Sequence, residues 1–439
     1  MYRPLQFILF YNVVAVLIAQ YGPIHYPDLD FYSVASYISL ILVAITVGYM
    51  LGIRAQEALP LAPMARTDFY PRRLFLVFLV LALIGFAVNL ATQIASGSAN
   101  FDLNSLGDTY TNAYIGYELN TGNYSLSFIL YTLFLAPTFF TTIWGLFYFK
   151  FLPRLQKLAT VAITLLFPLV FTLISGTQKN IGDLMIYLFA VILARQVTFE
   201  RKISPRAVVA VAVIGVVGIF ALSQILAQRA ASVGIDLFNI NRRETYQVYY
   251  DSTHLVFRLF GPDLGLPLST LTGYLTNGLN GLSYTLDLPN TWSHFLGTSY
   301  SVSVVANRVF GIPFPYHDTY PHMAGLINGW GENRWHSVFS WFASDFTFAG
   351  TVPIFGWLGY VYARCWRETI TFANPFSVAL FCLLSLGVVM MPANNQLMQS
   401  PGAMLTLITT CFLYLRFRRR FNQPVALSTK AQTAQLVPA

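Results

Sequence analysis

Of the 439 residues, 56% are hydrophobic and only 10% charged, and the mean hydropathy is +0.57. A soluble domain carries roughly 25% charged residues, so this balance excludes a soluble enzyme and indicates a polytopic membrane protein. The net charge of +8 fits basic inter-helix links facing anionic headgroups better than a nucleic-acid-binding face.

In chain order, hydrophobic runs long enough to cross a bilayer, about 20 residues each, fall near 5–22, 33–53, 74–96, 125–149, 158–175, 181–199, 207–227, 345–363, 375–392 and 401–416. Arg3 precedes the first run and no small-residue cleavage site follows it, so it reads as a retained span. Alternate links carry the basic residues: Arg54, Arg66, Arg72 and Arg73, then Lys150, Arg154 and Lys157, then Arg195, Arg201, Lys202 and Arg206. Arg364 and Arg367, and finally Arg416 and Arg418 to Arg420, continue the pattern. By the positive-inside rule these links and both termini are cytoplasmic. Four segments are expected: spans 1 to 7 over 1–228, a large extracytoplasmic module over 229–344, spans 8 to 10 over 345–421, and a disordered polar tail over 422–439.

The module is too long for an ordinary connection, and long loops tend to be functional. Its pieces 264–286 and 295–312 are semi-apolar, and the link between them has no Lys or Arg. They are therefore expected as re-entrant or interfacial helices, with a twelve-span alternative that preserves every other assignment. Backbone broken by Gly273, Gly278 and Gly281 at membrane depth must line protein or a water-filled cavity. All six histidines (His25, His254, His294, His317, His322, His336) fall on this side, with a few outward cations that defy the charge bias: Lys179, Arg229, Arg242, Arg243, Arg258, Arg308 and Arg334. A guanidinium offers a rigid fork of donors suited to phosphate, although local pairing with neighbouring carboxylates would also account for any one of them. Trp292, Trp330, Trp335 and Trp341 lie in the same interval; they suit sugar stacking or a membrane belt. Their mixing with Glu332, Arg334 and His336 favours sugar.

Several patches resemble the Wzy-type O-antigen polymerases, a family of oligosaccharide repeat unit polymerases. Gly325 to Gly350 looks like their C-terminal signature, with Arg334, Ser337, Phe339 and Asp345-Phe346. Thr347 stands where the family's usual Asp-Phe-Gly has glycine. Tyr274-Leu275-Thr276 with Gly278 and Gly281 is similar to its middle segment, and Ser175-Gly176-Thr177-Gln178-Lys179 to a turn between two of its central spans. The resemblance implies a metal-independent glycosyltransferase without a cofactor in a bacterial inner membrane. It would act on undecaprenyl-pyrophosphate-linked glycan donor and acceptor, among membrane lipids and beside a chain-length regulator, with no nucleic acid. Arg229, Arg243, Arg258, Arg334 and Lys179 are then expected at the pyrophosphate, where preorganised charge stabilises the leaving group. His336, Asp345 and His317 are the candidate bases, and Tyr249, Tyr250, Trp330, Trp335 and Glu332 the sugar-contacting residues. Asp345 also reads as the N-cap of a helix beginning beside it, and His317 with Asp318 and His322 has too little framing for a metal site. An O-antigen ligase shares this layout. Asp28 and Asp30, an Asp-x-Asp in the first outer link, keep open another polyprenyl-linked-sugar glycosyltransferase. A lipid-linked glycan transporter fits less well, because the spans are almost free of ionisable residues, Asp183 excepted.

Overall fold

The computed structural model describes residues 1–55, 71–95, 109, 126–200, 205–206, 208–209, 212–213, 215–218, 220, 228, 248–312, 315–331 and 334–421. These form a nearly all-helical chain: α1 (Arg3–Tyr21), α2 (Phe31–Arg54), α3 (Arg72–Ala95), α4 (Leu126–Phe147), α5 (Arg154–Ser175), α6 (Lys179–Arg195), α7 (Leu255–Leu286), α8 (Tyr300–Phe310), α9 (Tyr320–Asn328), α10 (Val338–Phe372), α11 (Pro375–Met390) and α12 (Pro401–Phe421). One two-stranded antiparallel pair joins β1 (Ile24–His25) to β2 (Tyr249–Tyr250), with Ile24 opposite Tyr250. Among the described residues six helices, α1 to α6, are long and apolar enough to cross a membrane, and α11 is apolar but shorter. The chain is an all-α, multi-pass membrane protein. Of the expected span at 207–227 only residues 208–209, 212–213, 215–218 and 220 are described, all helical, and the tail at 422–439 lies outside the described residues.

Helix ends follow local chemistry. Asp30 caps α2 by accepting from Ser33 N (3.1 Å) and from the Ser33 hydroxyl, and these bonds hold its carboxyl below the usual range. Asn374 caps α11, accepting from Phe376 N at 3.0 Å, with Pro375 in the first turn where its missing N–H costs nothing. At the end of α5, Gly176 takes the left-handed conformation (φ 60°) that glycine adopts freely and that lets the chain turn straight into α6.

The core is organised by α2 lying against α10. A Cβ on Gly48 would fall 1.7 Å from the Gly356 carbonyl oxygen, one on Gly52 2.5 Å from that of Tyr360, and one on Gly359 2.4 Å from that of Ile45. Gly48 and Gly52, one turn apart, thus allow backbone-to-backbone contact of the small-xxx-small kind that joins helices in lipid. At the end carrying the basic links, Trp144 Nε1 donates to the Pro375 carbonyl (2.7 Å), Arg367 to that of Ile53 (3.0 Å), and the Ser377 hydroxyl to buried Glu368 (2.6 Å).

Two helices are interrupted. In α7 Gly261 (φ 68°, ψ 175°) breaks the helix, and in α10 Thr347 does (φ 62°, ψ 163°). The start of α10 corrects the sequence reading: the helix begins at Val338 after Ser337, so Asp345 lies inside its first half and is no N-cap, and the expected run at 345–363 extends to Phe372 after the break. A β-branched residue at positive φ is an outlier costing on the order of 1–3 kcal/mol. Thr347→Gly is therefore expected to fold normally and to raise the melting temperature by a few degrees in detergent; an unchanged or lowered melting point would mean that Thr347 is not strained.

Candidate functional site

Residues 270–285 of α7 pack on α1, α2 and the start of α10 and bond to the links at their ends. Tyr26 donates to Asn277 Oδ1 (2.6 Å) and shares a 2.7 Å bond with Thr276, Asp30 N donates to the Ser283 hydroxyl (2.8 Å), and the Tyr284 hydroxyl donates to Asp28 Oδ2 (2.9 Å). Ser337 N donates to the Gly278 carbonyl at 3.1 Å. A Cβ on Gly278 would lie 2.2 Å from the Ala393 carbonyl oxygen. The partners are the α1–α2 link, the start of α10 and the α11–α12 link, all at one end of the bundle. These bonds tie α7 to that end, and its glycines are points of close approach. Asp28 and Asp30, which kept a different glycosyltransferase in view, are taken up by Tyr284 and by the α2 cap. Burial, then the adjoining Asp28 carboxylate, pushes the Tyr284 hydroxyl well up.

The 330–337 link brings several predicted residues together. The Arg334 guanidinium lies 5.0 Å over the Trp330 ring, and Trp330 Nε1 donates to the Trp335 carbonyl (3.2 Å). Trp335 meets Tyr274 edge to face at 4.5 Å, and the Tyr274 hydroxyl donates to Gln178 Oε1 (3.2 Å), next to Lys179. A continuous run of contacts therefore leads from Arg334 to the α5–α6 turn. Trp330 is 1% exposed and sits between Arg334 and Tyr284, so its ring works inside the link. His336 is fully buried and lies 3.0 and 3.1 Å through Nε2 from the Trp330 and Gly331 carbonyls. Both partners accept, so Nε2 carries the proton. Nδ1 faces α7, where a Cβ on Gly281 would stand 2.8 Å away. In this position His336 closes the 330–336 link on itself and packs against α7.

Asp345 is 6% exposed and binds a loop rather than its own helix end. Its Oδ1 accepts from the Ser293 hydroxyl (2.6 Å) and Gly297 N (3.1 Å), and its Oδ2 from Thr298 N (2.6 Å) and the Thr298 hydroxyl (2.5 Å). These four bonds hold a turn in which His294 (φ 54°) and Phe295 (φ 62°) are both left-handed. The turn displays Trp292 and Phe295, 48% and 61% exposed, with Phe295 5.6 Å from Phe346. Trp292, not chosen from sequence as a sugar contact, is thus the tryptophan of this region with an open face.

The other predicted residues are dispersed. Arg258 is exposed on the short arm of α7 before Gly261; beside it, the Asp251 carboxyl is held low, mainly by its bonds from Thr253 and less by the Arg258 charge. Tyr249 and Tyr250 form β2, with the Tyr250 hydroxyl 3.2 Å from that of Thr270 and its pKa raised by burial. His317 is exposed, its Nδ1 3.0 Å from His322 Nε2. Among the described residues no three His, Cys, Asp or Glu side chains cluster as metal ligands would. Arg229, Arg243 and Glu332 lie outside the described residues.

Sequence reasoning missed the α11–α12 link. Gln396 Nε2 donates to Asp183 Oδ1 (2.9 Å), while Lys179 pairs with Asp183 Oδ2 at 2.6 Å. Asn395 Nδ2 donates to the Thr298 carbonyl (2.6 Å), and the Ser299 and Ser301 hydroxyls donate to the Met398 and Gln399 carbonyls at 2.6 and 2.8 Å. This uncharged segment clamps the Asp345 turn to α6; its density of Asn and Gln between two apolar runs was the available signal. Below it, α3 to α6, α11 and α12 line a partly open cavity of ≈460 Å³ that reaches Lys179 and Asp183. Comparison of the chain with protein-family models, with curated proteins and with solved structures finds no match.

Proposed function

We propose that the chain polymerises undecaprenyl-pyrophosphate-linked oligosaccharide repeat units, as in O-antigen or exopolysaccharide synthesis, on the outer leaflet of a bacterial inner membrane. The observation that carries this reading is the run from Arg334 through Trp330, Trp335 and Tyr274 to Gln178 and Lys179. It sets a guanidinium, aromatic rings and an ammonium along one end of a membrane bundle whose basic links lie at the opposite end. Phosphate recognition calls for the guanidinium and the ammonium and sugar recognition for the part-exposed rings of Trp335 and Tyr274, while buried Trp330 supports Arg334 from beneath. Thr347 adds support: the position where the resembled polymerases have glycine takes a backbone conformation that glycine favours.

In this reading ten spans and two cytoplasmic termini leave 229–344 outside the cell membrane, following the positive-inside bias. The bond between the donor glycan and its lipid pyrophosphate breaks, an acceptor hydroxyl oxygen forms the new glycosidic bond, and its proton passes to a base. Arg334, Arg258 and Lys179 stabilise the departing pyrophosphate. Of the base candidates, His317 has its ring open to solvent.

Deletion of the gene is expected to leave lipopolysaccharide with single capped repeats and no ladder, and Arg258→Ala or Arg334→Ala to reproduce that pattern at normal protein level, with extension reduced at least 100-fold. Full ladders from both substitutions would exclude the phosphate role. Long undecaprenyl-linked chains that never reach lipid A would instead identify a ligase.

A further inference from the structure

We propose that the ≈460 Å³ cavity among α3 to α6, α11 and α12 is a tail-binding site for one long hydrocarbon chain with a phosphate head: the isoprenoid carrier of the repeat unit, held with its head at the α5–α6 turn. The choice of isoprenoid rests on the polymerase reading; the site itself rests on the cavity's construction.

Protein interiors pack to nearly crystalline density with few voids larger than a water, and a space of this size is within the range of ligand sites. Its walls are graded. Lys179, Asn180, Asp183, Ser175 and Thr177 line it at the end where α7 lies, and the Tyr131 hydroxyl is turned to Asn180 at 2.9 Å. Further in, the lining is Leu135, Phe139, Ile163, Phe167, Leu383 and Leu386. Four threonines line it at that depth, Thr138, Thr142, Thr164 and Thr406; two of them present methyl groups, because the Thr138 hydroxyl donates to the Phe134 carbonyl (2.9 Å) and that of Thr406 to the Gly402 carbonyl (2.8 Å). Along α4 the lining runs from Phe128 to Thr142, about 20 Å at 1.5 Å per residue. The site is long, with its ionisable groups at one end and a mostly apolar lining beyond them.

The packing of α6 agrees. It stands between α4, α5 and α11, yet its fully buried residues, Ala190, Val191 and Ala194, all lie in its last turns. The first half of α6 borders the cavity through Lys179, Asn180, Asp183, Leu184 and Tyr187. At the mouth the Lys179 side chain keeps 38% of its surface exposed while paired with Asp183. Gln396 holds the other Asp183 oxygen, so Asp183 keeps one partner when the ammonium turns to an arriving phosphate. The boundary between head and tail falls at this ion pair.

The test uses the full-length chain in nanodiscs with two photoactivatable probes, a polyprenyl phosphate and a phosphatidylethanolamine, each with a diazirine far along its chain. The expected result is that the prenyl probe labels Ile163, Leu383 or Leu386, that unlabelled polyprenyl phosphate competes for that labelling, and that Ala403→Trp reduces it at least 10-fold without lowering the melting point. Leu184→Trp fills the cavity from the opposite wall and replaces Ala403→Trp should the latter fail to fold. Prenyl labelling confined to outward residues such as Val43 or Leu40, labelling of the cavity by the phospholipid probe alone, or undiminished labelling in both folded variants would overturn the proposal. A protein labelled in the cavity that extends no repeats would leave the tail site standing and remove the polymerase reading. One that extends repeats without cavity labelling would do the reverse.

Discussion

Gly48→Leu is expected to abolish the folded protein. The side chain would enter the α2–α10 contact, where a single Cβ already falls 1.7 Å from the Gly356 carbonyl oxygen, and no rotamer relieves that overlap because the obstacle is backbone. Overpacking a well-packed core costs typically 1–3 kcal/mol and occasionally more. Here the two helices must separate along their length, breaking the Gly52 and Gly359 approaches as well, so the cost should exceed about 3 kcal/mol. Size-exclusion profiles and thermal melting in detergent provide the measurement. Val47→Leu is the control, since Val47 is 54% exposed on the same turn of α2 and its melting point should stay within a degree of wild type. A monodisperse Gly48→Leu protein melting with wild type would show that α2 and α10 are not in backbone contact.

The second large effect is expected at Asp345. Removing its carboxylate leaves the Gly297 N–H and the Thr298 N–H and hydroxyl without their acceptor in a buried turn, while the Ser293 hydroxyl can turn to the Ser344 carbonyl at 2.8 Å. Hydrogen bonds to charged groups contribute about 1.5–3 kcal/mol each and do not add simply. A net loss of about 3–5 kcal/mol is reasonable for Asp345→Ala. Asparagine should not rescue it, because its amide would present N–H groups to the Thr298 N–H and hydroxyl. Both variants should melt well below wild type, and limited proteolysis should cut the 292–298 turn first, where His294 and Phe295 are held in left-handed conformations. The contrary outcome is informative: an Asp345→Asn protein that melts as wild type and resists the protease, yet extends no glycan, would make Asp345 a base and not a clasp.

Much of the architecture could be read from residue order alone. Helices α1 to α6 were expected within a few residues of their observed ends, because a span in hydrocarbon must satisfy its backbone internally and so needs a long apolar run. The short pieces before Gly261 and before Thr347 were less visible, since a break depends on dihedral angles that composition does not record. Gly273, Gly278 and Gly281 were recognised as places where backbone is peculiar, but what approaches them, the Ala393 carbonyl and the His336 ring, comes from more than 50 residues away in sequence.

Composition and the alternation of basic links by themselves determined that this is a multi-pass helical membrane protein with a long, aromatic, arginine-bearing interval unlike its spans. Only the tertiary structure decided which of those residues meet. Trp330 and His336 are buried and close the 330–336 link on itself, and Trp292 is the exposed ring; Asp345 clasps a turn in another segment; and the Asn and Gln residues of 394–399 join that turn to Asp183 above a cavity. The physical reason is range. Hydropathy and capping act over one or two turns, whereas burial, hydrogen-bond partners and cavities belong to pairs of segments that come together only once the bundle has packed.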